Sequence, residues 1–318
     1  MTLAVTLSPF EHADFWISVL VVAGTFALFT LGLQLNVGNT GILNFGQAGF
    51  MAIGAYTMGL LVVKADWPIY AAMPAATAAA IAAGLLVGIP SLRLRADYFA
   101  IATIAFSEIV VYIFENTNFA GGYTGILGYD HEWRTASAWI DRQLGHLGLG
   151  NQDQLPLLIV VWATVLIAAF ALRALQRTPW GRVLKGIRED EDAVRALGKN
   201  VFSYKLQSLA ISAALASFAG YFLALNLTVI YPAEFESNFT FLGYTILIFG
   251  GMGSYLGVAL GSAVLWIILE GTRLMELPLS AERLAALRFI IVGVILVLFV
   301  ALRPQGLLGH REESKLRE

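Results

Sequence analysis

The sequence predicts an all-α polytopic membrane protein, with about nine transmembrane segments forming one domain over residues 1–318. Of the 318 residues, 58% are hydrophobic and 13% are charged, whereas soluble domains carry about 25% charged residues. The mean hydropathy is +0.73. Long stretches lack any charged residue, and the first covers 16–63. These three observations exclude a soluble enzyme, a disordered chain and a coiled coil.

The individual spans follow from the length of each uncharged run, because one crossing needs about 20 apolar residues. The run 16–63 is interrupted by a polar, glycine-containing stretch at 36–41 and therefore predicts two spans. The run 237–269 is broken at 250–254 and predicts a short span followed by a full one. The nine predicted spans are 15–35, 40–62, 67–92, 98–114, 155–172, 206–230, 239–250, 255–272 and 284–302.

The distribution of cationic residues predicts the orientation of these spans. With the N-terminus outside and the C-terminus inside, fourteen Lys and Arg residues lie on the inner side and five on the outer side, as the positive-inside rule requires. Glu11, His12 and Asp14 precede the first span and do not form the positive segment of a signal peptide, so we expect this span to be retained.

The layout of the spans also predicts an internal repeat. Spans one to four resemble spans six to nine in layout, with one span between the two sets. This arrangement predicts an inverted repeat built around broken helices, which is typical of transporters. The alternative is that any nine-span chain can be divided in this way.

Two polar loops separate the spans. The segment 115–154 is an outer loop. The segment 173–205 is an inner loop, in which Thr178 followed by Pro179 predicts a helix start and Gly198 predicts a helix end. Asp190 or Glu189 is a candidate cap for a second short helix. An apolar stripe is predicted at Val183, Ile187, Val194 and Leu197. One or two amphipathic helices outside the bilayer would suit docking of a partner, and an ordinary connecting loop is the alternative.

Amide side chains and glycines are concentrated in the second span. Asn36, Asn39, Asn44 and Gln47 lie in or just before it, and such side chains need hydrogen-bond partners inside a membrane. We predict that they line a polar path for a neutral or zwitterionic solute, together with Thr245 in the similar segment 243–255. The alternative is that they hold helices together.

Glu108 lies inside the fourth span. A carboxylate within a membrane indicates a functional site. Its alternatives are a structural or gating contact and a proton-carrying role.

The sequence lacks the residues that several classes of protein function require. The chain contains no cysteine, no phosphate-binding P-loop and no His-Glu-x-x-His motif, and its four histidines lie in loops or tails. We therefore predict no catalytic residue, no metal site and no cofactor. The net charge of −2 does not suggest a nucleic-acid partner.

Four stretches resemble a known family in order along nearly the whole chain. They are GNTGILNFGQAGF at 38–50, LRADYFAIAT at 94–103, GGYTGI at 121–126 and TPWGRVLKGIREDEDAVRALG at 178–198. The sequence is similar to the LivM-type permease subunits of branched-chain amino-acid ABC importers, within the LivH/LivM family. The fourth stretch is the most specific, because its charge pattern is improbable by composition alone.

The resemblance implies a role and a set of partners. The chain would form the membrane path of an importer in the bacterial inner membrane, in contact with lipid. Its partners would be cytoplasmic ABC ATPase subunits, a second permease in a heterodimer and a periplasmic solute-binding protein on the side of 115–154. The implied ATPase-docking residues are Gly181, Arg182, Ile187, Arg188, Glu189, Asp190, Glu191, Leu197 and Gly198.

Other functions remain open at this point. A permease for urea or a short amide belongs to the same wider family. A proton-coupled carrier using Glu108, a passive channel and an intramembrane enzyme are further alternatives, none of which needs a docking helix.

Overall fold

The computed structural model describes residues 13–146 and 154–273, six isolated positions between 287 and 301, and 306–308. Within these residues the fold is helical, with one two-stranded sheet. In chain order the helices are α1 Ala13–Leu33, α2 Gln47–Ala65, α3 Ile69–Ser91, α4 Ala96–Asn116, α5 His131–Gly145, α6 Leu155–Gln176, α7 Pro179–Glu189, α8 Glu191–Ala196, α9 Val201–Leu227, α10 Asn238–Gly250 and α11 Tyr255–Arg273.

Six helices of the described chain are long and apolar enough to cross a membrane. They are α1 with its extension to Thr40, then α2, α3, α4, α6 and α9. This confirms an all-α polytopic membrane protein. Pro232–Gly250 and Tyr255–Gly271 are bent by 116° relative to each other, and they raise the count to seven if they form one span. The prediction of nine spans is not confirmed, and 284–302 lies outside the described residues apart from six isolated positions.

The bend between α10 and α11 is built from glycines. Gly251 and Gly253 have φ of 101° and 98°, a backbone conformation that glycine adopts without steric penalty. Beyond the bend, an added Cβ on Gly261 would lie 2.7 Å from the Cα of Gly250. The absence of side chains therefore lets the two helices meet backbone to backbone.

The first and second spans also differ from the predicted limits. α1 continues without interruption into a seven-residue π-helix, Gln34–Thr40, and this π-helix ends at Gly41, which has φ of 75°. Residues 41–46 are not helical, and α2 begins at Gln47. The break between the two spans therefore lies at 41–46, and the predicted second-span start at residue 40 is seven residues too early.

The central helices of the described fold are α1 and α9, whose apolar windows are mostly buried, and α3, α4 and α6 are peripheral. On the side where α2 ends, the predicted outer loop contains the helix α5 and the strand β1. Strand β1, Ile126–Leu127, pairs antiparallel with β2, Val229–Ile230, in the connection that leads to α10. This pairing ties the loop to the spans.

Candidate functional site

The two short helices α7 and α8 form the segment that the sequence assigned to docking. α7 begins at Pro179 after extended backbone at Thr178, where a proline loses no helical hydrogen bond. The Thr178 hydroxyl does not cap α7, because it donates to the carbonyl of Leu175 at 2.6 Å. The carboxylate of Asp190 caps α8 by accepting from the amides of Asp192 and Ala193 at 2.9 and 3.0 Å.

The predicted apolar stripe of this segment is correct only in part. Ile187 and Val194 are buried and Val183 is half-buried, but Leu197 is 79% exposed. The chain turns at Asp190 between the two helices, so the helical spacing that the stripe assumed is interrupted there. Leu197 consequently points away from the core, next to Gly198 with φ of 74°.

The nine residues assigned to docking divide into two groups. Those exposed at the surface are Arg182, Glu189, Asp190, Leu197 and Gly198. Those that hold the segment against the rest of the protein are Gly181, Ile187, Arg188 and Glu191, which are buried or half-buried. Only the first group presents a free surface to a partner.

Gly181 and Glu191 fix the position of the segment. A Cβ on Gly181 would collide with the backbone of Gln176, at the end of α6, so no larger residue fits this turn. The Glu191 carboxylate forms ion pairs with Lys205 of α9 and, at 2.7 Å, with Arg195. α8 is thereby connected to the start of a central helix.

Arg188 connects the docking segment to the break between α1 and α2. Its guanidinium donates to the carbonyl of Gly38 at 2.5 Å, within the π-helix. The Arg188 backbone also lies against Gly41, where an added Cβ would be 3.3 Å from the Arg188 Cα. Sequence reasoning placed Arg188 on the docking surface but missed this inward contact, for which the sequence carries no local signal.

A cavity of 680 Å³ opens between this segment and the connection from α3 to α4. Six cationic side chains and one carboxylate line it, namely Arg93, Arg95, Arg188, Arg195, Lys199, Lys205 and Glu191. This end of the described fold is therefore strongly cationic.

The four predicted path amides come together around the break, and all four are buried. The Gln47 amide accepts from Ser212 at 2.8 Å and from Asn44 at 2.9 Å. Asn36 accepts from Ser208 at 3.0 Å. The sequence does not single out these two serines, although their i,i+4 spacing on an apolar helix is a signal that could have found them.

The remaining contacts join this amide cluster to the α10–α11 pair. Asn39 donates to the hydroxyl of Tyr255 at 2.7 Å, and Tyr244 donates to the carbonyl of Asn44 at 2.9 Å. Thr245, the fifth predicted path residue, is half-buried one position further along α10 and donates to its own helix at Phe241. The π-helix, the break and the first residue of α2 together thus contact α7, α9, α10 and α11.

Glu108 lies apart from this cluster, on the exposed side of α4. Its carboxylate accepts a hydrogen bond of 2.5 Å from the hydroxyl of Ser237, just before α10. Among the described residues, this hydrogen bond involves none of the four amides or their partners, so the predicted intramembrane acid is not part of the amide cluster.

The loop opposite the docking segment is anchored by Tyr129 and Glu132. Tyr129 is fully buried and donates to the carbonyl of Ala224 at 2.6 Å, and burial, with the nearby Asp130 carboxylate, raises the pKa of its phenol above the usual value. Glu132 accepts from the amide of Ile69 at 2.7 Å, which caps α3. The exposed face of α5 includes Trp139.

Several spanning helices, a glycine-built bend and a short helical segment outside them define a membrane-embedded transport protein. The family model described as "Branched-chain amino acid transport system / permease component" matches residues 15–300. The chain belongs to this family of permease components, which are not themselves enzymes.

Individual relatives agree with this assignment. The chain is 33% identical to the high-affinity branched-chain amino acid transport system permease protein LivM of Escherichia coli K12, over 97% of this chain and 74% of that protein. It is 28% identical to the probable LivM of Methanocaldococcus jannaschii, over 92% and 93%. It is 24% identical to the LivH permease of Escherichia coli K12, over 93% and 94%. No solved structure matches.

Proposed function

We propose that this chain is the membrane-spanning subunit of an ABC importer for branched-chain amino acids, in the bacterial inner membrane. The observation that carries the proposal is the α7–α8 segment, which is fixed to the spans by Gly181, Arg188 and Glu191 and presents Leu197 at the surface. A subunit without a nucleotide-binding motif needs a partner that hydrolyses ATP, and this segment is the docking surface for it.

The docking surface consists of Arg182, Glu189, Asp190, Leu197 and Gly198. A leucine that is 79% exposed, with the exposed Arg195 and Lys199 close to it in sequence, suits an apolar socket on a partner, because burying a leucine side chain contributes about 1.5–3 kcal/mol. The cationic cavity beside it supports a cytoplasmic location for this end, as the positive-inside rule expects. The N-terminus then lies outside, the C-terminus in the cytoplasm, and 115–154 faces the periplasmic binding protein.

The inward contacts of the segment suggest how movement reaches the spans. ATP-driven closure of the partner subunits moves α7 and α8, and Arg188 transmits the movement to Gly38 at the break. Asn36, Asn39, Asn44, Gln47 and Thr245 then become the lining of the path when the break opens toward a second permease, which is a related and distinct chain. Neutral amides in the path suit a zwitterionic solute.

Affinity purification of the tagged chain in mild detergent tests the docking surface. With Leu197→Glu, the amount of ATPase that purifies with the chain should fall at least about tenfold, since losing a buried leucine and burying a carboxylate cost more than the roughly 1.4 kcal/mol that a tenfold change requires. The control is Leu127→Glu, because Leu127 is also exposed, at 61%, but lies on the opposite side. Equal ATPase content in both variants would contradict the proposed surface.

The transported solute needs its own measurement, because relatives in the comparison include a fructose import permease and a nucleoside permease. Uptake of labelled leucine by the complete complex should be inhibited by isoleucine and valine and unaffected by urea. Inhibition by urea alone would assign the chain to the permeases for urea and short amides.

A further inference from the structure

Helix α4 is peripheral, and one long side of it is mostly exposed, with residues 236–238 as its neighbours near Glu108. The side that packs against α2 and α3 contains Phe99, Thr103, Ser107, Val110 and Val111. The opposite side is exposed along its whole length and carries Tyr98, Ile101, Ile109, Tyr112 and Ile113, each more than half exposed. Something covers this face in the membrane, either lipid or protein.

Glu108 distinguishes the α4 face from the other peripheral faces. It lies 12 residues after Ala96 and 8 before Asn116, which is about 18 and 12 Å along the axis. Among the spanning helices that the structure describes, no other charged residue is more than five residues from a helix end. The exposed faces of α3 and α6 are apolar by contrast, with Leu86, Ile167 and Phe170 at 70% exposure or more.

Lipid is a poor environment for this face. A carboxylate at this depth is strongly unfavourable in hydrocarbon, and such groups face protein or water. Among the described residues Glu108 accepts a hydrogen bond from Ser237, whereas an ionised carboxylate can accept about four. The group therefore has acceptor capacity that acyl chains cannot satisfy.

The backbone beside Glu108 leads to the same conclusion independently. Residues 236 and 237 are not helical, and they meet Glu108 well inside the length of α4. Non-helical backbone at membrane depth occurs only where protein covers it or water reaches it. Together they form a groove of 550 Å³, lined by Glu108, Ile109, Val111, Tyr112, Glu115, Glu236, Ser237 and Asn238.

We propose that the exposed face of α4, centred on Glu108, is the surface on which the second permease subunit packs. This inference rests on the proposed function and specifies one contact within it. The partner presents hydrogen-bond donors or a cationic side chain to Glu108, and apolar side chains to Ile101, Ile109 and Tyr112. A homologous permease suits this position because the chain resembles both LivM and LivH proteins, and a membrane-spanning partner covers a face about 30 Å long.

Site-specific photo-crosslinking in intact membranes tests the surface without altering Glu108. A photoreactive phenylalanine analogue replaces Ile109 in one variant and Ile167 on α6 in a matched control, where 57% and 70% of the native side chains are exposed. We expect a covalent product with the second permease from position 109 and lipid adducts alone from position 167. Mass spectrometry identifies the linked chain.

Two results would overturn the inference. One is lipid adducts at both positions, and the other is a permease product from position 167 alone. If the ATPase and second permease still purify with the chain in either case, the proposed function stands and only the assigned surface fails. If neither purifies with the unmodified tagged chain, the proposed function fails first.

Substitutions at Glu108 provide a second, quantitative measurement. Glu108→Leu should reduce the amount of second permease purified with the chain by about tenfold, the effect of losing hydrogen bonds to a charged group. Glu108→Gln keeps a polar contact and should retain most of it. If Glu108→Leu instead strengthened the complex or left it unchanged, the carboxylate would not lie at this interface.

Discussion

Under the proposed function, replacing Arg188 by methionine separates docking of the ATPase from transmission of its movement to the spans. The substitution keeps the aliphatic stem and removes the guanidinium that donates to Gly38 at 2.5 Å. A hydrogen bond with a charged partner contributes about 1.5–3 kcal/mol, and the Arg188 side chain is 25% exposed, so the lower end of this range applies. About 1.5 kcal/mol corresponds to about a tenfold change in an equilibrium constant.

The expected effect is a loss of coupling with the partner still bound. In liposomes containing the complete complex, solute transported per ATP hydrolysed should fall by up to about tenfold with Arg188→Met. Arg188→Lys, which keeps a cationic donor, should lie between this variant and the native chain. Lys185→Met is the matched control, because it removes one exposed cationic residue from the same helix. An unchanged transport ratio in an Arg188→Met complex with normal ATPase content would refute this reasoning.

Three further outcomes follow from the described contacts. Cysteine in place of Gln47, which is buried, should resist a polar thiol reagent in the resting complex and react with it during ATP turnover. Cysteine in place of Thr245, which is half-buried, should react more readily in the resting complex. If neither cysteine reacted during turnover, these residues would serve packing alone. Gly181→Ala should lower stability by about 2 kcal/mol through overpacking, while Gly145→Ala, with nothing within 4 Å, should not, as thermal unfolding in detergent would report. The raised pKa of Tyr129 means that the folded protein favours the neutral phenol. The contribution of Tyr129 to stability should therefore be constant below about pH 10 and fall as the pH rises above that value. In Tyr129→Phe this pH-dependent contribution should be absent.

Much of the fold could be predicted from the sequence because lipid imposes a simple requirement on it. Uncharged runs mark α2, α3, α4, α6 and α9 to within about seven residues, since charged side chains are unfavourable in hydrocarbon. The glycines at 250–254 correctly marked a break. They did not reveal its 116° angle, because φ above zero permits many chain directions and the packing of neighbouring helices selects one.

The two helices α7 and α8 were predicted in outline, and the errors have a physical cause. Pro179 and Asp190 are local signals, and both act where the sequence placed them. Leu197 was assigned to an apolar stripe on the assumption of one continuous period, which the turn at Asp190 interrupts. Helix α5 was missed because its polar composition resembles that of a loop, and an amphipathic helix at the surface needs a neighbour to favour it.

The amide cluster shows what a sequence cannot supply. Asn36 and Gln47 could be recognised as unusual in a membrane, but their partners Ser208 and Ser212 lie more than 160 residues away. Whether an amide lines a path or joins helices depends on these distant contacts. The path assignment therefore stays a prediction that the thiol-labelling experiment addresses.

The π-helix at Gln34–Thr40 is wound differently from the α-helix that precedes it. Its backbone bonds join residues five apart, whereas those of α1 join residues four apart, so rewinding these seven residues shifts both the height and the phase of everything beyond Gly41. Both amide atoms of Gln34 are without a hydrogen bond in the described chain, and this leaves the present winding less favourable than its burial suggests. Under the proposed function, a pull by Arg188 on Gly38 would therefore move the break in one discrete step while α1 stays in place.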